Sequence, residues 1–514
     1  MKILKYIVLC STIFIICCKK DKGNYDYVTL EQFGLDTVGL AKSFNVQQGR
    51  ELLVIDRKLV AADTTDYTYV WRLFEVKTAT LTRYDTVSTK RKISTLISAE
   101  PGTSNVLELK LTQKSTGLFK FYSFNVTTVS AIPDGFLAVY DKDGSTDVDL
   151  IRGTNVLGMG TNIKDTVYRN VLYGGLGGKL LGGTPVSIAA NANGVYIATS
   201  TTGINQFKNN SFTLLQNQQN MFLGNAPSIL KPQYVYNHSA SFTMYINNGT
   251  VYWGLTSTAP GFIGPSILTV NNTEVKYDAA PFIVYMLGKQ GAFFDKINRR
   301  FFYQEQSAAT LVRFPAVISP AAKFNMDNIN KDMIWMGPKV ASTAVANSNY
   351  RTAYFKDVDG SAKRYLYIMD LTLATSTATN GTANSSVGLI DISALPDIVN
   401  AKFFETSYSA LNTFYATSTK LYSYFYNGAT NSYSNLTNPF TAPVGEEITA
   451  IRLLHTTNTN TTMRRMAIAT WNSTTKEGKV YMHKIPVPTS GEFDPIPVIT
   501  SHPGKILQME AKTN

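Results

Sequence analysis

Hydrophobic and polar positions alternate along much of the chain with a period of two, the spacing at which one face of a β-strand is buried. Tyr67, Tyr69, Trp71 and Leu73 fall on one face of the stretch Tyr67–Phe74. Val106–Thr112 alternates in the same way, Lys114–Gly117 reads as a turn, and Leu118–Val126 follows as the next strand. Glu51–Asp56 adds a short apolar strand. Half a dozen strands around one central tryptophan predict an immunoglobulin-like β-sandwich over residues 28–130.

Ile132-Pro133-Asp134-Gly135 punctuates the end of that region. Beyond it a looser motif recurs: an apolar or aromatic strand, a short Asn/Asp/Gly turn, and a second strand rich in Tyr or Phe. The first strands of these pairs start near residues 136, 186, 243, 292, 352, 413 and 465. Recurrence at the length of a four-stranded sheet predicts a β-propeller over residues 134–514, with about seven blades. Lys505–Met509 is one strand too many for the last blade, and would close the ring against the first. A pair of β-sandwiches is the alternative arrangement of the same strands. Either way the fold class is all-β.

The first residues break this pattern. Lys2 and Lys5 precede a mainly apolar run from Tyr6 to Ile16, then Cys17 and Cys18, after which the chain turns polar at once. The run is shorter than the ~20 residues a membrane-spanning helix needs. It reads as a bacterial lipoprotein signal over residues 1–17, with Cys18 as the acylated residue and residues 18–27 as a polar tether. Cys17 offers the small side chain wanted before the cut, whereas cleavage before Cys17 would put Ile16 there. The mature chain is expected to be lipid-anchored and to work outside the cytoplasmic membrane.

Composition agrees with the strand pattern. Tyr (29) and Phe (27) are abundant and charged residues are only 16%, a balance that suits pleated surfaces. All three cysteines lie at positions 10, 17 and 18, so the body carries neither a disulfide framework nor a thiolate metal site. The formal charge is +12, but the basic residues are scattered apart from Lys19-Lys20-Asp21-Lys22 and Lys90-Arg91-Lys92, which is not the clustered footprint of a nucleic-acid binder.

Candidate chemistry is sparse, and the expectation is no catalytic residue, no cofactor and no metal. Asp141, Asp143, Asp147 and Asp149 surround Gly144, a spacing that suits Ca²⁺, but Arg152 stands where an EF-hand needs its distal carboxylate. A hairpin turn on Asp143-Gly144 with exposed acids on either side explains the same residues. Asp357-Val358-Asp359-Gly360 is a second such turn. None of His238, His455, His483 and His502 sits in a catalytic motif. Gly174–Gly178 has no Walker lysine after it and reads as an inter-strand loop. Trp253, Trp335 and Trp471 lie in or beside propeller strands, where an aromatic face either packs in the core or stacks on a ligand.

The stretch Cys18–Tyr27, the strand of Trp71, Pro101-Gly102 before Leu107–Leu111, Ser115–Gly117 and Asp134–Tyr140 together resemble the PKD-like family of lipoproteins found in Bacteroidota. The resemblance covers about the first 150 residues. It implies an accessory binding protein on the outer membrane, facing the cell exterior, beside a SusC/SusD-type nutrient uptake complex, and the expected ligand is a glycan or peptide. It implies no activity. The alternatives are a propeller hydrolase or lyase acting on polysaccharide, which calls for an acidic pair facing the central mouth, and a protein–protein scaffold for the uptake complex.

Overall fold

The computed structural model describes residues 32–512, apart from segments 49–51, 62, 77–80, 98, 100, 102–103, 159–162, 240–241, 256–260, 271–272, 287–288, 306–308, 315–321, 338–349, 372–385, 408–411, 428–431, 455–463 and 488–489. The signal, the tether and Cys18 therefore lie outside the described residues, as do His455, the connection Thr456–Thr462 and all but the last residue of Thr375–Ser386. The chain divides into two compact units, Met1–Val129 and Ser130–Asn514.

The smaller unit is built on a five-stranded sheet in the order Ser43–Gln47, Phe119–Val129, Ser104–Gln113, Tyr67–Val76, Leu81–Ser88. Two short ladders complete it, Gly34–Leu35 with Leu59–Val60 and Leu52–Ile55 with Ile93–Leu96. Alternation in Ser104–Gln113 buries Leu107, Leu109 and Leu111 completely, and Trp71 packs there with no exposed surface. The indole N–H of Trp71 donates to the carbonyl of Lys90 at 2.9 Å, so the ring is buried without an orphaned donor.

The larger unit forms seven sheets among its described residues. Blade 2 runs Pro185–Asn191, Gly194–Thr199, Gly203–Phe207, Leu214–Gln216. Blade 3 begins with Pro232–Ser239, blade 5 with Asp332–Met336, blade 6 with Phe403–Thr406 and blade 7 with Glu447–Leu453. Each of these meanders outward through three further antiparallel strands. Blade 1 takes Gly135–Lys142, Ser145–Arg152 and Thr166–Tyr168 from the start of the unit and Lys505–Lys512 from its end. Phe136 pairs with Ala511 and Ala138 with Met509 across that join, so the last strand closes the ring and covers the edge of Gly135–Lys142.

Blade 4 departs from the rule. Its innermost segment, residues 279–284, meets Gly291–Asp295 only through bridges from Ala279 to Asp295 and Val284 to Ala292. Pro281 lies between them and has no N–H to give a ladder. Seven separate apolar clusters fill the spaces between successive blades, the one between blades 7 and 1 included. A four-stranded sheet buries both faces only when its neighbours supply the cover, which is why the blades stack into a ring.

One repeat is phased differently from the sequence expectation. The pair starting near residue 186 is the first and second strand of its blade, whereas the pairs near 243, 352, 413 and 465 are second and third strands. Tight hairpins dominate the sequence signal, and in blade 2 the tight turn joins the inner pair. Gly174–Gly178 is also more ordered than a loop: Val171–Gly175 forms a short helix in which a Cβ at Gly175 would lie 2.1 Å from the carbonyl of Phe212.

Candidate functional site: the central cavity of the propeller

The innermost segments of all seven blades converge on one cavity of about 320 Å³. Aromatic walls come from four successive blades: Tyr234, Phe282, Trp335 and Phe403, all half-buried. Trp335 is held by Tyr354 and Phe404, at centroid distances of 5.9 and 6.0 Å. Gly337 makes room for it, since a Cβ there would stand 2.7 Å from the indole ring. Gln233 and Gln508 bring amides, and Gln508 Nε2 donates to the carbonyl of Val186 at 2.8 Å, tying blade 1 to blade 2.

Charge enters from blades 6 and 7. Arg452 of blade 7 reaches Glu405 of blade 6 at 3.3 Å and also pairs with Glu510 of the closing strand. Burial alone would depress the guanidinium, but the two carboxylates outweigh it and hold Arg452 above the ordinary arginine range. On blade 3, two residues beyond Tyr234, Tyr236 is buried, and burial raises both phenols. Arg351 is 1% exposed, donates through Nε to the carbonyl of Tyr285 at 2.9 Å, and is pushed down to about 10 by burial. Among the described residues the cavity lining carries one carboxylate, Glu405, and it is bound to Arg452.

A second polar cluster joins blade 7 to blade 1. Asp149 and His502 are wholly buried and meet at 2.8 Å, with Thr500 on the other ring nitrogen at 2.9 Å. Asp149 also accepts from Arg169 at 2.7 Å and from the Asn170 N–H at 2.8 Å. Burial works to raise this carboxyl, yet the donors, His502 foremost, bring it below the usual range. Neighbouring Asp147 goes the other way, raised by burial.

These contacts correct the reading of the Asp141–Asp149 segment. Asp143 (φ 53°) and Gly144 (φ 82°) do form a hairpin turn, with the Gly144 N–H on Asp141 at 3.0 Å. Asp147 and Asp149 are not exposed acids beside it; they point inward and are engaged by Val148, Tyr173 and the His502 cluster. Among the described residues no group of three His, Cys, Asp or Glu side chains is placed to hold a metal ion. The turn at Asp359-Gly360 is a hairpin too, Asp357 pairing with Lys331.

The other sequence candidates scatter. Trp253 is 3% exposed and belongs to the core between blades 3 and 4. Trp471 lies away from the cavity with Lys476 over its ring at 6.0 Å. His483 is buried against Phe440 and Phe493, and burial lowers its pKa. Trp335 alone of the three propeller tryptophans lines the cavity. Sequence reasoning missed Arg452, Glu405 and Glu510. A lone charge inside an apolar strand, as in Ile451-Arg452-Leu453, was the available signal.

A model of the PKD-like family matches residues 18–185, a span that starts at Cys18 and runs through the sandwich into the first blade. No curated protein matches the chain. Among solved structures, a quinonprotein alcohol dehydrogenase-like protein from Bacteroides thetaiotaomicron is similar at 12% identity and TM-score 0.40, covering 91% of this chain and 96% of that one. Hsv2 from Kluyvelomyces marxianus is similar at 7% identity and TM-score 0.37, covering 73% of this chain and 94% of that one. A variant of Synechocystis apocarotenoid oxygenase is similar at 6% identity and TM-score 0.35, covering 90% of this chain and 95% of that one.

Proposed function

We propose that this chain is a non-enzymatic binding protein, held on the outer membrane by acyl groups on Cys18 and facing the cell exterior. It captures a glycan or peptide for an uptake complex of SusC/SusD type. The observation that carries the reading is the cavity to which every blade contributes, with aromatic walls and a few fixed polar groups, the usual make-up of a ligand pocket. Among the described residues Glu405 is the one carboxylate in the lining, and it is bound to Arg452, which supports capture over hydrolysis. The anchor rests on the sequence around Cys18, because acyl chains bury apolar CH₂ groups at ~0.8 kcal/mol each and hold a folded body on a membrane without a spanning helix.

The test uses the full chain, native and Cys18→Ala. The native chain is expected to fractionate with membrane and the variant to be released. After detergent extraction the native chain is titrated with glycan and peptide panels, and saturable binding without turnover is expected. Cleavage of a bound polymer, or no binding by either panel, overturns the assignment.

A further inference from the structure

Resting on that binding reading, we propose that the central cavity takes one end of a neutral oligosaccharide, and that the rest of the sugar chain lies outward across blade 6. Three observations point there together.

The cavity is a socket. At about 320 Å³ it stands at the small end of ligand pockets, which run ~300–1,000 Å³. Arg452 and Glu405 line it, and Glu405 lies three residues down its strand from Lys402 at the mouth. Arg452 links blades 6, 7 and 1 through its two carboxylates. Farther along the blade 3 strand Tyr236 is buried, and Arg351 is buried beside Tyr285. At this volume, with Arg452 bonded to blades 6 and 1 from blade 7, the cavity has room for a terminal unit and not for a passing chain, so what enters is an end.

The lining selects an uncharged, amphipathic group. Tyr234, Phe282, Trp335 and Phe403 present ring surface suited to the C–H faces of a sugar. Gln233 offers an amide to its hydroxyls. Of the charged lining residues, Arg452 is already paired with Glu405 and with Glu510, which lies outside the lining, and Lys402 is exposed, so the buried part of the socket offers no unpaired charge to draw an ionic ligand.

The socket also has an exit. Lys402 lines a second, open groove of about 610 Å³, whose walls include Asp397, Asn400, Thr417, Ser418 and Thr419. Hydroxyl, amide and charged groups line it, with no aromatic ring and only Val399 and Ala401 as apolar members. A peptide needs pockets for alternate side chains. A hydrated sugar chain needs only donors and acceptors along its length.

The test is calorimetric titration of the full chain with gluco-, manno-, galacto- and xylo-oligomers from dimer to octamer, each also blocked at one end or the other. One series is expected to bind, and blocking one of its ends is expected to abolish binding while blocking the other leaves it intact. Trp335→Ala should weaken every length by about tenfold or more. The double substitution Ser418→Ala and Thr419→Ala should weaken only the longer members. Trp335→Phe, which keeps a ring, and the urea unfolding midpoint of each variant separate loss of the site from loss of the fold. Tolerance of blocks at both ends overturns end recognition. Binding of a peptide in place of any neutral sugar, lost in Trp335→Ala, overturns the inference and leaves the binding reading standing. Sugar binding untouched by Trp335→Ala overturns this site, and binding of nothing takes the reading down with it.

Discussion

Lys512, the last described residue of the closing strand, is wholly buried, its ammonium donating to the carbonyls of Ile132 at 3.2 Å and Pro133 at 3.1 Å. Burial pushes it from an ordinary value of 10.5 down to about 8, against the pull of Asp134. A lysine depressed by folding binds fewer protons in the folded state, so its share of the stability is complete above the unfolded value and is lost as pH falls through the folded one. Relative to Lys512→Met, which carries no charge, the native chain should gain about 3 kcal/mol between pH 8 and 10.5, read from urea unfolding of both proteins. A difference that stays flat across that window would contradict the assignment. Single residues also show where sequence reading succeeds. Trp71 sits in an alternating run whose neighbours leave it one burial face, and it is 0% exposed. Arg452 stands out as a lone charge in an apolar strand, but its partners Glu405 and Glu510 are 47 and 58 positions away, and nothing local pairs them with it.

At the scale of elements, hairpins were legible and their blade positions were not. A tight turn between two aromatic strands is a local event that Asn, Asp and Gly announce. Whether that hairpin is the inner or the middle pair of a blade depends on what packs beside it, and blade 2 shows the difference. Pro281 likewise marks a break in strand pairing without showing that it falls on the inner edge of blade 4. The closing strand Lys505–Lys512 was legible as a surplus strand, and its antiparallel pairing with Gly135–Lys142 joins the two ends of the larger unit. Truncation of the chain before Lys505 should remove the inner strand of blade 1 and expose the edge of Gly135–Lys142 that it pairs. The expected outcome is loss of the larger unit's cooperative transition and aggregation on heating, followed by calorimetry and light scattering. A truncated chain that still melts in two transitions would show that closure by this strand is dispensable.

At the scale of the whole molecule, each unit has its own core: Trp71 with Leu107, Leu109 and Phe124 in the smaller, and seven interblade clusters in the larger. Independent cores unfold as independent units, so the full chain should show two calorimetric transitions. Trp71→Ala, which leaves a cavity in the smaller core alone, should cost that transition about 3–5 kcal/mol and leave the larger one in place. A shift of both transitions together would show that the two units unfold as one.

By itself the sequence determined the quantities carried by neighbouring residues: strand period, turn chemistry, the count of repeating hairpins, the surplus last strand and the lipoprotein-like start. These are local because alternation and turn preference act over a few bonds. Only the tertiary structure decided which side chains meet. The cavity draws on seven segments spread from Val186 to Met509, and the Asp149–His502 contact spans 353 positions. Ring closure brings such residues together, and no local pattern records a distance set by seven blades packing around an axis.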